Sequence, residues 1–262
     1  MVVGVLVSFS PDARAGKLER TRAAVKAPPR HVEVEPAVTY AVDPPPPATT
    51  VVVVESAPAT AGPASVSVSS PVPEFARFPY ADAHAGYVRR GGMARGRVVS
   101  GRAALEGSYL GDHVWRGALD VELSLWRVSL RNELGAYVEA PARDALYLGN
   151  TALYFAAVMR QRVIWRVGLG ANYFIDGQRQ RGRPPEHRAG VDLSTTLDVF
   201  PVRPLVLSAR ADVGGLGGAV AVMGRASIGV ALRRWEIYAA AEYRNIGGVR
   251  FAGPALGVRA WF

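Results

Sequence analysis

Four histidines, in a chain that has no cysteine, are the first residues to weigh for chemistry: His31, His84, His113 and His187. Two of them follow an acid directly, in Asp112-His113 and Glu186-His187. An imidazole beside a carboxylate is the raw material of general acid–base catalysis, and a hydrolase working at the rim of a barrel would use such a pair. Neighbouring loop residues seldom face one another, however, and no nucleophile accompanies either pair at a working spacing. No Gly-x-Ser-x-Gly, metal-ligand cluster or phosphate loop occurs, and Gly214 to Gly218 lacks the lysine a phosphate loop needs. The expectation is a non-enzymatic protein, with no catalytic residue, no metal and no cofactor.

A second kind of chemistry belongs to arginine, whose planar fork binds phosphate through two parallel hydrogen bonds. Lysine occurs only at Lys17 and Lys26, so nearly all of the basic charge is guanidinium. Arg179, Arg181, Arg183 and Arg188 crowd one long loop and are candidate contacts for anionic lipid such as lipopolysaccharide. A solvated loop in an arginine-rich chain is the plainer alternative. Because no recognition motif accompanies the net charge of +9, nucleic acid is not expected as a partner.

These residues sit in a chain of 262, of which 49% are hydrophobic and 20% charged, enough apolar material for a large folded domain. Arginines interrupt every long apolar stretch, which excludes the run of about 20 apolar residues that a membrane helix needs. The absence of cysteine excludes disulfides and thiolate metal sites. Residues 1–15 hold a short apolar run, Val2 to Val7, followed by Ala13-Arg14-Ala15, the small-x-small form of a signal-peptidase site. Residues 16–90 are rich in Pro, Ala and Val, and the four prolines Pro44 to Pro47 favour extended polyproline II. The composition predicts a disordered tether there.

From residue 91 to 262 the pattern changes to apolar residues at every second position, the period of a β-strand. About ten strands result, with eight or twelve as the alternatives. The fourth, around Leu153 to Met159, is ambiguous because Ala152, Tyr154, Ala156 and Val158 make its other face apolar as well. Opposite the apolar faces stand Arg102, Glu106, Arg116, Asp120, Glu122, Arg131, Glu133, Arg166, Asp192, Asp198, Arg210, Asp212, Arg225, Glu236, Glu242, Arg244 and Arg259. Parity alone does not decide which face meets water. If the charges point inward, eight arginines and nine carboxylates would pair across a narrow, plugged lumen.

Three features favour charges inside. Short connections near Trp126, Gln161, Pro201 and Arg233 alternate with longer ones expected at 139–146, 176–187, 214–218 and 245–253. Aromatics Tyr109, Trp115, Tyr173, Trp235, Tyr243 and Phe262 stand at strand ends, where a membrane interface holds them. The chain ends on Phe262, preceded at alternate positions by Ala260, Val258 and Leu256. This ending resembles the C-terminal signal of bacterial outer-membrane β-barrel proteins, with Ala260 standing where that signal usually carries an aromatic. The pattern from residue 95 onward is similar to the small OmpA/OmpW-like barrel class.

The resemblance implies an all-β, antiparallel up-and-down transmembrane barrel in the outer membrane of a Gram-negative-type bacterium, with a periplasmic N-terminal segment. It implies contact with outer-membrane lipid and delivery to the barrel-assembly machinery through the last strand. The function implied is envelope-structural or loop-presenting, with a periplasmic partner of the tether as a further candidate. A small-solute porin, a rim hydrolase and a soluble all-β binding domain remain the alternatives.

Overall fold

The computed structural model describes residues 16–28, 74–81, 86–89, 97–140, 144–177 and 186–262. The stretch read as a signal, residues 1–15, lies outside them.

Ten strands carry the alternation. They are β3 (Val99–Tyr109), β4 (Val114–Leu125), β5 (Val128–Glu139), β6 (Asp144–Arg160), β7 (Val163–Asp176), β8 (His187–Val199), β9 (Leu205–Leu216), β10 (Ala219–Leu232), β11 (Trp235–Ile246) and β12 (Val249–Trp261). Each pairs antiparallel with its neighbours in sequence, and β12 returns to pair with β3, so the sheet closes into an all-β barrel without edges. The closing seam runs from Ala255 opposite Ser108 to Trp261 opposite Arg102. One further rung follows, where Gly101 and Phe262 exchange backbone hydrogen bonds of 2.7 and 2.9 Å. Pro254, which has no N–H to give, falls just past the last paired residue of that seam.

The apolar face points outward. Leu169 is 70% exposed, Val191 79% and Leu256 69%, and large aliphatics on every barrel strand are exposed with them. Aromatics frame this band. Tyr109, Trp115, Tyr147 and Tyr243 lie at one end, and Trp126, Trp165, Trp235 and Phe262 at the other, all exposed.

Two connections expected to be long are tight turns. Strands β9 and β10 extend to Leu216 and Ala219 around Gly217 and Gly218, and β11 and β12 extend to Ile246 and Val249 around Gly247 and Gly248. The backbone reason is visible at the second pair, where φ is +57° at Gly247 and +92° at Gly248, the left-handed region that two-residue hairpin turns require. The fourth strand's ambiguity also has a structural cause. Between Ala156 and Val158 the register of β6 against β7 shifts by one residue, a bulge. Tyr154 and Ala156 therefore face inward before it, while Met159 turns in after it and packs with the buried cluster at that end.

Part of the stretch read as tether is ordered. Lys17–Lys26 forms a helix, α1, with Leu18, Thr21, Arg22 and Val25 on its buried face. Further along, β1 (Glu74–Phe75) pairs with β2 (Val88–Arg89). The two pieces sit at opposite mouths of the barrel. Around α1 cluster Leu110, Val114, Leu146, Phe174, Leu216, Ile246 and Phe251 from the longer-connection end, whereas Phe75, Tyr80 and Tyr87 pack with Ile164, Phe200, Val206 and Trp261 at the tight-turn end.

Candidate functional site

With the apolar residues outside, the charges find their partners inside the barrel, most of them among one another. All seventeen charged residues picked out by parity lie on the interior face; Asp120, Arg225 and Arg244 are partly buried and the rest fully. Toward α1, Arg116 donates from Nη1 to Glu106 at 2.7 Å and Glu242 at 2.9 Å, and from Nη2 to Glu133 at 2.6 Å. Glu133 also accepts from Arg210 at 2.6 Å and from Arg244, and Glu106 accepts from Arg225. Toward the C-terminus, Arg102 bridges Glu122 at 2.6 Å and Asp198 at 3.0 Å, and Arg166 reaches Asp198 at 2.6 Å. Arg131 grips Asp120 at 2.8 and 2.6 Å, and Arg259 holds both oxygens of Glu236 at 3.0 Å. Asp192 is satisfied by neutral donors instead, Asn150 at 2.9 Å and Ser194 at 2.7 Å.

Removing so many ions from water is expensive, and dense pairing with short, charge-assisted hydrogen bonds is what offsets the cost. The result is a filled interior. Two of its cavities measure about 30 Å³, beside Glu133, Asn150 and Arg244, and about 20 Å³, among Arg102, Arg131 and Arg259. Each is the room of roughly one water molecule.

Both mouths are closed by the chain itself. At one, α1 is pinned to carboxylates on successive strand ends and loops. Glu139 accepts from the backbone N–H groups of Lys17 at 3.2 Å and Leu18 at 3.1 Å, where a helix N-terminus has donors to spare. Arg22 donates to Asp144 at 2.8 and 3.1 Å and to Asp176 at 2.9 Å. Lys17 pairs with Asp112 at 2.8 Å, and Lys26 with Asp176 at 3.0 Å and Glu186 at 2.9 Å. Hydrogen bonds from Lys17 and Lys26 hold the carboxyl groups of Asp112 and Glu186 below the usual carboxylate range. Burial pulls the Lys26 ammonium down, but its bonds to Glu186 and Asp176 more than offset this and leave it above its usual value.

At the other mouth the closure is aromatic. Tyr87 lies 4.9 Å from Trp261, 5.5 Å from Phe75 and 5.8 Å from Phe200, centroid to centroid. Trp261 turns inward and donates its Nε1–H to Glu236 at 2.9 Å, tying the plug to the charge network. Its neighbour Phe262 points outward with Leu256 and Val258, and its ring covers Gly101 so closely that a Cβ there would sit 2.2 Å from it.

His113 and His187 are exposed at the α1 rim. The acids beside them are engaged elsewhere, Asp112 by Lys17 and Glu186 by Lys26 and Arg188. His31 and His84 lie outside the described residues, as do Arg179, Arg181 and Arg183; Arg188 is exposed and pairs with Glu186 at 2.7 Å. Sequence reasoning missed the α1 anchors Lys17, Arg22 and Lys26 and their partners Glu139, Asp144 and Asp176. One signal was available: acids bracket both long connections, Glu139 with Asp144 and Asp176 with Glu186, where an inward-facing strand end would hold a cation. Comparison of the chain with protein-family models finds no match, and comparison with curated proteins finds no significant one.

Proposed function

We propose that this chain is an integral outer-membrane β-barrel of a Gram-negative-type bacterium, non-enzymatic, which stiffens the envelope and presents its loops while conducting nothing through its centre. The observation that carries this reading is the combination of an exposed apolar band framed by aromatics with a charge-paired interior closed at both mouths. Water-soluble domains do not expose contiguous apolar patches of that extent, whereas a bilayer matches them. A diffusion porin needs a wider barrel and an open lumen.

In the usual orientation, with tight turns in the periplasm, Phe262 and the aromatic plug face inward and α1 faces out. In that orientation residues 16–28 lie at the outer mouth, whereas the sequence predicts a periplasmic segment there. The lipid partners are outer-membrane acyl chains along the apolar band and anionic headgroups at the arginine-rich loop. The assembly machinery would engage β12, and residues 74–81 and 86–89 stand at the mouth available to a periplasmic partner.

Gel migration of the full chain refolded in detergent, boiled and unboiled, tests the reading. A compact unboiled band that unfolds only on boiling is expected; a chain that stays soluble and monomeric without detergent overturns it.

A further inference from the structure

Two polar contacts on the outward face of the barrel differ in what they leave over. Between β7 and β8, Trp165 donates its Nε1–H to Thr195 Oγ1 at 2.9 Å, and Thr195 donates in turn to the carbonyl of Arg166 at 3.0 Å, so no hydrogen is unspent. Between β5 and β6, Asn132 donates from Nδ2 to Thr151 Oγ1 at 2.7 Å, across directly paired strand positions. There the accounting stays open. Among the described residues, the second amide hydrogen and Oδ1 of Asn132 and the hydroxyl hydrogen of Thr151 have no partner. The pair also stands inside the apolar band, away from its aromatic borders. Exposed Val128 and Leu130 flank Asn132 toward the tight turns, and exposed Leu134 and Val138 toward the other end.

Within a bilayer, neither water nor an acyl chain can answer these groups, and polar side chains left in hydrocarbon are costly until another protein surface pairs with them. An amide and a hydroxyl each hold both donor and acceptor, so the pair can answer a copy of itself across a two-fold axis. The surface beside it lets a copy come close. Gly107, Gly117 and Ala136 are aligned across β3, β4 and β5, and a Cβ at either glycine would meet nothing within 4 Å, which leaves the backbone open to approach. We infer that β5 and β6 form the contact of a symmetric dimer of this chain, the Asn132–Thr151 pair of one copy hydrogen-bonded to the same pair of the other. The inference rests on the membrane reading above, because in water the solvent would satisfy the same groups.

The test uses the full chain, refolded in detergent and shown by its heat-shifted band to have formed the barrel. Sedimentation in detergent is expected to find a dimer. Asn132→Leu and Thr151→Val, which alter only the outward face, should keep the heat-shifted band and raise the dissociation constant about tenfold or more. Because the chain has no cysteine, the contact can also be mapped in phosphatidylcholine vesicles. Leu153→Cys, exposed beside the pair, should give a disulfide-linked dimer on oxidation, and Ile228→Cys, exposed on β10, should not. A monomer that carries the heat-shifted band overturns the dimer and leaves the membrane reading standing. A dimer indifferent to both substitutions, or one linked as readily through Ile228→Cys, overturns it too. A chain without the heat-shifted band that stays soluble in the absence of detergent overturns the membrane reading and the dimer with it.

Discussion

Arg22 grips Asp144 with two parallel hydrogen bonds of 2.8 and 3.1 Å, joining a helix at the start of the chain to a strand end 122 residues away. The guanidinium turns a short helix into a stopper, because the same side chain also reaches Asp176 at 2.9 Å, at the end of β7. Breaking a buried ion pair by removing one partner costs about 3–5 kcal/mol, since the remaining charge keeps its desolvation penalty. Arg22→Ala is therefore expected to release α1 without unfolding the barrel. The chain has no cysteine, so Thr21→Cys, at a fully buried position on the helix, gives a clean reporter. Maleimide should leave it unlabelled in an otherwise native chain and label it within minutes once Arg22 is alanine.

The same helix should respond to pH on both flanks. Asp112 and Glu186 have depressed folded values, so their contribution is present above the ordinary carboxylate range near about 4 and is lost as pH falls through the lower, folded values. Lys26 is raised, so its contribution is complete below its ordinary value of about 10.4 and fades as pH rises through the higher, folded one. A docked plateau from roughly pH 5 to 10 follows. A nitroxide attached through Ala23→Cys, on the exposed face of α1, should be immobile across that window and mobilise at its acidic edge. Mobility that is flat down to pH 2 would mean that these ion pairs do not hold the helix.

The closing seam of β12 on β3 has one rung beyond Trp261. Phe262 contributes two backbone hydrogen bonds to Gly101 and a ring that covers it. A chain ending at Trp261 should lose about 2 kcal/mol from the bonds alone. Its heat-modifiable band should convert at a lower temperature. Gly101→Ala should be milder, because the ring at the chain end can swing aside. If truncation and Gly101→Ala move the conversion temperature equally, the ring contact and not the last rung governs closure.

Inside, Glu133 is the acid with most to lose, accepting from Arg116, Arg210 and Arg244. Glu133→Ala leaves three guanidinium groups with one carboxylate fewer and is expected to cost about 3–5 kcal/mol. Denaturant unfolding in detergent measures this. A cost below 1 kcal/mol would mean that water enters the interior freely.

The barrel was legible in the sequence because strand parity is a local signal: each strand announces its two faces within a dozen residues. Which face turned inward could be argued from Trp115, Trp235 and Phe262 at strand ends, all of which are exposed. Partner identity was not legible, because Arg116 and Glu242 are 126 residues apart and meet only when the sheet closes. The helix α1 escaped notice for a related reason. Its apolar stripe is little more than Leu18 and Val25, and its anchors Glu139, Asp144 and Asp176 belong to other strands. The plug residues Phe75, Tyr80 and Tyr87 follow no period, since irregular backbone packs them. The glycine pairs at 217–218 and 247–248 were read as loop when they are the turns that lengthen β9 to β12.

Single-channel recording from the full chain in planar bilayers tests the closed interior most directly. Inserted protein, verified by its heat-shifted band, is expected to leave the membrane without conductance steps across the voltage range in which bilayers survive. Stable, repeated openings by the unmodified chain would contradict the account, because a charge-paired interior with the chain packed into both mouths opposes the passage of a hydrated ion.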